Sequence, residues 1–212
     1  MKWSKIQKTM LATEAYILMC ENYGQGCTYH NLTHIGTMYD FLDGMNVTYD
    51  ETLDWAVMFH DVVYDEKPDK EKRSAEWFLE MHSKDKGTNL DEEVLTRIVE
   101  LIMATKDHLL DIEDKVDFLK GKKEIIMADL HQLTSIKETI VNYSNIMQES
   151  MSLYEISEKD FAKGNKDFLT GLKERVTKNI KRSDTVEEQR FFAGVVNGID
   201  LSISFSEAVL KS

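Results

Sequence analysis

Proline is almost absent from this 212-residue chain, and its scarcity constrains the fold more than any other sequence feature. The single proline is Pro68, and the ten glycines lie mostly between segments with regular apolar spacing. Proline breaks helices because its ring removes a backbone donor, so long stretches on both sides of Pro68 are free to be helical. Strand signals are scarce, and the sequence therefore predicts an all-α fold.

Apolar residues recur at helical spacing along most of the chain, and Ile98 and Ile102 belong to one such stripe with Val94 and Leu95. Two capping boxes, Thr48-x-x-Glu51 and Thr185-x-x-Glu188, mark helix starts. We predict a helical bundle of about eight or nine helices, with these approximate bounds: the N-terminus to 21, 31–42, 48–59, 70–82, 91 onward, a segment through 129, 135–157, 159–180 and 185–209.

The balance of charge restricts the partners of the chain. Lys and Arg total 26 against 38 Asp and Glu, which gives a net charge of −12. Such a surface repels polyanions, so we expect no long nucleic acid as ligand. A small anionic substrate is still compatible with this charge, because one bound divalent cation dominates its local field.

Cysteine content and hydropathy bear on the compartment. Cys20 and Cys27 are the only cysteines, too few for a disulfide framework, so free thiols in a cytoplasmic protein are expected. No uncharged run approaches ~18 residues, and a membrane-spanning segment is not expected.

Three separate segments carry residue types that commonly act as metal ligands. His30 and His34 are four residues apart, which on a helix places both imidazoles on one face. The pair His60-Asp61 ends an apolar helix, and Asp129 follows a run of apolar residues where an ionised carboxylate is costly without a cation or donors. Each feature alone is common at a surface or a helix end. Their joint occurrence beside apolar residues predicts one divalent-metal site.

The order and wording of these segments resemble the HD superfamily of metal-dependent phosphohydrolases, in particular its small bacterial and phage members. The resemblance implies an HD-type helical bundle forming a single domain over residues 1–212, in which helices in 135–210 complete a core at 29–130. It rests on five motifs: Tyr-His-Asn-x-x-His at 29–34, Phe-His-Asp-x-Val-Tyr-Asp at 59–65, Ser74-Ala75, Thr-x-x-His at 105–108 and Ala-Asp-Leu at 128–130.

The resemblance implies the ligands His34, His60, Asp61 and Asp129 around a divalent ion, which is Mn, Fe, Co, Ni, Zn or Mg. The first motif is similar to that of cyclic-nucleotide phosphodiesterases, which makes His30 the general acid. Asp61 or Asp129 would accept the proton of the attacking water. In an alternative assignment, His30 is the ligand and His34 supports it.

Two departures from the family pattern concern substrate binding. An Arg usually precedes the Tyr-His pair, but Gly26-Cys27-Thr28 occupies that stretch here. The Asn-Glu pair that usually precedes Ser-Ala is replaced by Lys70-Glu71.

Weaker candidates surround these motifs, and each also has an ordinary interpretation as a solvated charge or a helix-end residue. Asp65 and Glu71 are candidates to orient ligand imidazoles, and His108 to support a ligand or reach a phosphate. The candidates to replace the missing Arg are Lys72, Arg73 and Lys106. Cys27-x-x-His30-x-x-x-His34 also resembles half of a structural zinc site but lacks a clear fourth ligand. His82 and His131 are read as surface or packing residues.

These observations predict an enzyme, a metal-dependent phosphoric ester or anhydride hydrolase acting on a small phosphorylated molecule, with nucleotides first. A cyclic or short-oligonucleotide phosphodiesterase is the enzymatic alternative. A non-catalytic protein that binds metal and nucleotide is the alternative from another class. Assembly into a homo-oligomer is left open by the sequence.

Overall fold

The computed structural model describes residues 17, 27–47, 51–65, 67–85, 89–110 and 116–212, with 116–118 described by their backbone alone. Within these ranges the regular structure is entirely helical, with eight α-helices, one short 3₁₀-helix and no strand. The prediction of an all-α fold is confirmed.

The described helices follow the predicted order, and most ends agree with the predicted ones within a few residues. They are α1 (Leu32–Gly44), α2 (Glu51–Phe59), α3 (Lys70–Lys84), α4 (Glu92–Asp107), α5 (Val116–Leu130), a 3₁₀-helix (His131–Thr134), α6 (Ile136–Tyr154), α7 (Glu158–Arg182) and α8 (Val186–Lys211). The 3₁₀-helix was not predicted. The predicted N-terminal helix lies outside the described residues except for Ile17, which is helical. Thr48 of the first capping box also lies outside the described residues.

The chain divides into two compact units. The first comprises Met1–Lys106 and Asp114–Ala128, and the second comprises Asp107–Glu113 and Asp129–Ser212. The division falls inside α5, so Asp129 continues an unbroken helix that begins in the first unit. A single domain over the whole chain stays a prediction.

The first unit has an aromatic core formed by side chains of α2 and α3. Trp55, Phe59 and Phe78 are fully buried, and the rings of Trp55 and Phe59 lie 5.9 and 5.1 Å from that of Phe78. Ile98 and Ile102 are also completely buried, as their spacing predicted. Burial of such side chains contributes roughly 1.5–3 kcal/mol each, so this core holds the end of α2 firmly in place.

The second unit is dominated by two long helices, α7 and α8, which pack against each other. Thr185 caps α8 by accepting the amide of Glu188 at 3.1 Å, which confirms the second predicted capping box. The Glu188 carboxylate in turn accepts the amide of Asp184 at 2.9 Å. The 3₁₀-helix packs against α8 at Gly198, where an added Cβ would lie only 2.0 Å from the carbonyl oxygen of Leu133.

Helix α8 is long and apolar enough to cross a membrane by length and composition alone, and 28% of its apolar window is buried. Core helices of soluble proteins meet the same criterion. Asp200 and Glu207 on α8 pair with Lys173 and Lys166 on α7, at 2.5 and 2.7 Å. This packing is compatible with a soluble protein, and the cytoplasmic location stays a prediction.

Candidate metal centre

Asn31 anchors the start of α1 and thereby places His34. Its side-chain oxygen accepts the amides of Thr33 and His34 at 2.8 and 3.2 Å, the usual way of satisfying exposed donors at a helix start. Its NH₂ group donates to the carbonyls of Cys27 and Thr28 at 3.3 and 3.1 Å. The same side chain therefore caps the helix and orders the loop before it, and His34 is 3% exposed in the first turn.

The expectation that His30 and His34 share one helix face was wrong. Because Asn31 is the N-cap, α1 begins at Leu32 and His30 lies in the preceding bend. The two imidazole centroids are 6.4 Å apart, with their planes inclined by 70°. His30 and His34 therefore approach the site from different directions.

His60 follows the last residue of α2, as predicted, and is completely buried. Its amide bonds to the carbonyl of Ala56 at 2.9 Å, and its Nδ1 lies 3.0 Å from the carbonyl of Val57. A carbonyl only accepts, so Nδ1 carries the proton and Nε2 presents a lone pair. That nitrogen lies 3.2 Å from Oδ2 of Asp61.

Asp129 emerges from the apolar end of α5. The preceding Ile125, Ile126 and Ala128 are completely buried, whereas the Asp129 side chain is 15% exposed. Its Oδ2 lies 2.8 Å from Nε2 of His108. Because an ionised carboxylate only accepts, His108 donates this hydrogen bond. One oxygen of Asp129 is therefore engaged by His108, and the arrangement suits a carboxylate that uses its other oxygen for a cation.

His34, His60 and Asp129 form a group in which one ligand atom of each lies within 4.8 Å of the others. Two ligands on opposite sides of a cation bound at about 2.2 Å are roughly 4.4 Å apart, so separations of no more than 4.8 Å are within about 0.4 Å of the largest that one shared ion allows. Two imidazole nitrogens and one carboxylate oxygen are the donor set of Zn, Mn, Fe, Co or Ni sites. These side chains fit a divalent metal ion.

The other predicted ligands lie beside this group. Asp61 touches His60 and is 9% exposed. The group contains His34 and not His30, which favours the assignment of His34 as the ligand. Cys27 is buried and, among the described residues, is not a member of this candidate metal group. The half-zinc-site interpretation gains no support.

An aromatic stack adjoins Asp61. The Nε2 of His30 lies 4.0 Å from Oδ2 of Asp61, and the His30 ring stacks on Tyr64 at 3.7 Å. The Nζ of Lys70 lies 3.5 Å from the centroid of Tyr64, a cation–π contact. We did not predict roles for Tyr64 and Lys70. A signal was present for Tyr64, since it lies in the 59–65 segment that also carries His60 and Asp61.

Asp65 and Arg73, which were candidates for ligand support and phosphate binding, bind each other. Two guanidinium nitrogens of Arg73 lie 2.8 and 2.5 Å from the two oxygens of Asp65. This bidentate hydrogen bond outweighs partial burial and lowers the pKa of Asp65 from 3.8 to about 2. Arg73 also donates to the carbonyls of Lys67 and Pro68. The pair thus fastens the loop after Asp61 to α3.

The remaining candidates lie on α3 and α4. Lys106 binds Asp69 at 2.7 Å, and the pKa of Asp69 is lowered by this hydrogen bond. The Nζ of Lys72 lies 3.6 Å from a carboxylate oxygen of Glu76, one helical turn away. Glu71 is half-buried in the first turn of α3. Contacts of these side chains with a substrate stay predictions.

Ser74 is a structural contributor that the sequence alone did not explain. It is completely buried, and its hydroxyl accepts the amide of Val63 at 3.0 Å. Ala75, the next residue, is 3% exposed. A small hydroxyl residue followed by a small apolar one lets the loop after Asp61 approach α3 closely, which gives a physical reason for small residues at positions 74 and 75.

Comparison with protein-family models, curated proteins and solved structures finds no match to this chain. What the His34–His60–Asp129 group can bind is therefore inferred from its own side chains.

Proposed function

We propose that this protein is an HD-type, metal-dependent phosphohydrolase that acts on a small phosphorylated molecule, with nucleotides as the first class. The observation that carries the proposal is the group formed by His34, His60 and Asp129, because three distant segments contribute compatible donors. The His30–Asp61 pair supports it by placing acid–base groups beside that group.

His34, His60 and Asp129 would hold the divalent ion, with Asp61 adjoining. When bound, such an ion supplies a Lewis acid for a phosphoryl oxygen and lowers the pKa of water from 15.7 to as little as about 7. The protonated Nδ1 of His60 keeps its Nε2 available as a ligand, and His108 orients Asp129.

Asp61 is the better placed of the two candidate proton acceptors. Oδ2 of Asp129 is engaged by His108 at 2.8 Å, whereas Oδ2 of Asp61 lies 3.2 Å from Nε2 of His60 and 4.0 Å from Nε2 of His30. Asp61 would accept a proton from the attacking water while a new bond forms between the water oxygen and phosphorus.

His30 would deliver a proton to the departing oxygen as the bond from phosphorus to the leaving group breaks. Stacking on Tyr64 restricts the orientation of the His30 ring. Asp61, which received the proton from water, can return it to His30 afterwards. One water is consumed for each phosphoester or phosphoanhydride cleaved, and no net proton stays on the protein.

The charge of the chain favours a small substrate. A net charge of −12 disfavours long polyanions, while a small phosphate compound needs only the cation and a few local groups. Lys70 contributes a positive charge near the His30–Tyr64 stack. A nucleotide also offers a base for aromatic contacts, and Tyr64 belongs to this part of the site.

The direct test measures metal binding before activity. Thermal melting of the metal-free protein is recorded with and without Mn²⁺, Co²⁺, Ni²⁺ or Zn²⁺, and nucleotide hydrolysis is then followed by chromatography with each ion or Mg²⁺. We expect at least one ion to raise the melting temperature, since a ligand at about 100 times its Kd adds about 2.7 kcal/mol to stability. His34→Ala and His60→Ala should each remove that shift and abolish turnover.

His82→Ala is the matched control, because His82 lies outside the group and its Nε2 accepts the amide of Leu90 at 3.4 Å. It should keep both the metal-induced shift and turnover. Full turnover in His60→Ala would contradict the proposal. A linear monophosphate as product would assign the phosphodiesterase alternative, and nucleotide binding without product would assign the non-catalytic one.

A further inference from the structure

The segment after α4 is held by a buried amide side chain from α7. Asn179 is completely buried, and its NH₂ group donates to the carbonyl of His108 at 2.7 Å. Its side-chain oxygen accepts the amide of Leu110 at 2.9 Å. One carboxamide therefore satisfies the carbonyl of His108 and the amide of Leu110, which are 71 and 69 residues away in sequence.

His108 has an unusual backbone conformation at this point. Its φ is 50°, in the left-handed region, which residues with a Cβ rarely adopt and which persists only where surrounding contacts impose it. The two hydrogen bonds of Asn179 are such contacts. Arg175 and Arg182 of the same helix add bonds to the carbonyls of Asp107 and Leu110.

The conformation of His108 determines where its ring lies. The residue is 8% exposed, and its Nε2 reaches Oδ2 of Asp129 at 2.8 Å. Among the described residues, no hydrogen-bond partner is present for its buried Nδ1. The ring is therefore placed by its backbone and by Asp129, and a shift of the backbone would move the hydrogen bond to Asp129.

We propose that Asn179 is a positioning residue of the metal centre. By holding residues 108–110, Asn179 keeps the His108 side chain on Asp129, and so increases the affinity of the His34–His60–Asp129 group for its cation. This inference rests on the proposed metal-binding function, since Asp129 must be a ligand for Asn179 to influence affinity through it.

The test is a double-mutant cycle on metal affinity, measured by chelator competition with Mn²⁺ or Zn²⁺. Removing a group that supports a metal ligand typically weakens metal binding by about 10- to 100-fold, and we expect this for His108→Ala. Asn179→Ala should weaken binding by about 5- to 10-fold, a fraction of that range. In the His108→Ala background, Asn179→Ala should add no further loss, because coupled residues are not additive.

Asn165→Ala is the matched control, because Asn165 lies on the same helix and donates to Ser206 at 3.2 Å. It should leave metal affinity unchanged. If Asn179→Ala does not fold, Asn179→Asp replaces it, since aspartate keeps the acceptor for the Leu110 amide and loses the donor to His108. The expectation is the same.

A second measurement is independent of the metal. The ¹⁵N NMR signals of the His108 ring in metal-free protein should show the proton on Nε2, donated to Asp129, and this signature should be lost in Asn179→Ala. Unchanged affinity and ring signals in that variant would overturn the inference, as would an equal further loss of affinity in the His108→Ala background. Absence of metal binding by the wild-type protein would instead overturn the proposed function, while the NMR result would still decide whether Asn179 places His108.

Discussion

The segments around His34 and His60 are held differently from the α7–α8 pair. In the first unit, polar side chains hold irregular backbone segments by hydrogen bonds. Asn31 bonds to the loop before α1, and Ser74 and Arg73 bond to the loop after Asp61. The α7–α8 pair of the second unit instead packs helix against helix. This difference shows that His34 and His60 lie at helix ends, where individual hydrogen bonds determine the orientation of their side chains. The continuous helices are stabilised by packing instead.

The largest effect expected in this comparison comes from close packing in the second unit. Gly198→Ala would place a Cβ 2.0 Å from the carbonyl oxygen of Leu133, and such overpacking typically costs about 1–3 kcal/mol. We expect a loss at the upper end of that range, about 3 kcal/mol, because backbone rather than a flexible side chain must move. Urea denaturation measures it.

Gly164→Ala on α7 is the control for the glycine replacement. Among the described residues outside its own helical turns, no atom lies within 4 Å of an added Cβ there, so this variant should stabilise the protein by about 0.5–1 kcal/mol through helix propensity. Equal effects of the two replacements would show that contact with the 3₁₀-helix does not limit the packing of α8.

An intermediate effect is expected where one side chain both caps a helix and orders a loop. Asn31→Ala removes the acceptor for two amides and the donor to two carbonyls. The loss of the cap alone should cost about 1 kcal/mol, and metal affinity should fall because His34 lies in the capped turn. Thermal melting and chelator competition measure the two effects.

Asn31→Asp separates the two roles of this side chain, because aspartate keeps the acceptor for the helix amides and loses the donors to the loop. Most of the stability should return in this variant. If Asn31→Ala and the wild-type protein bind metal equally well, the order of the loop does not contribute to the site.

The smallest effect concerns the Asp65–Arg73 pair and depends on pH. The pKa of Asp65 is lowered from 3.8 to about 2, so the stabilisation is present above about pH 4 and is lost as the pH falls through 2. Asp65→Asn should cost about 0.5 kcal/mol near neutral pH, since solvent screens this pair, whose Arg73 and Asp65 side chains are 24% and 34% exposed. The difference from wild type should shrink toward zero near pH 2.

Asp40→Asn, which alters an exposed carboxylate on α1, is the control for the pH experiment. Its denaturation midpoint should follow that of the wild-type protein across the range. A deficit of Asp65→Asn that stayed constant down to pH 2 would mean that the ion pair is not its cause.

Much of the fold and part of the candidate site could be predicted from the sequence. Helical periodicity and the Thr185 capping box are local signals, and the described helices follow them. The three residues of the metal-binding group were among the predicted ligands. The position of His30 was mispredicted because the Asn31 side chain caps α1, so that the helix begins at Leu32 and His30 precedes it.

The sequence by itself determined the helical class, the order of the helices and the residue types that can bind a cation, because these depend on spacing along the chain. Only the tertiary structure decided which groups meet: His34 rather than His30 beside His60, Arg73 on Asp65, and Asn179 on the backbone of His108. Those pairings join a side chain to one particular partner across a loop or between helices, and no periodic pattern encodes such contacts.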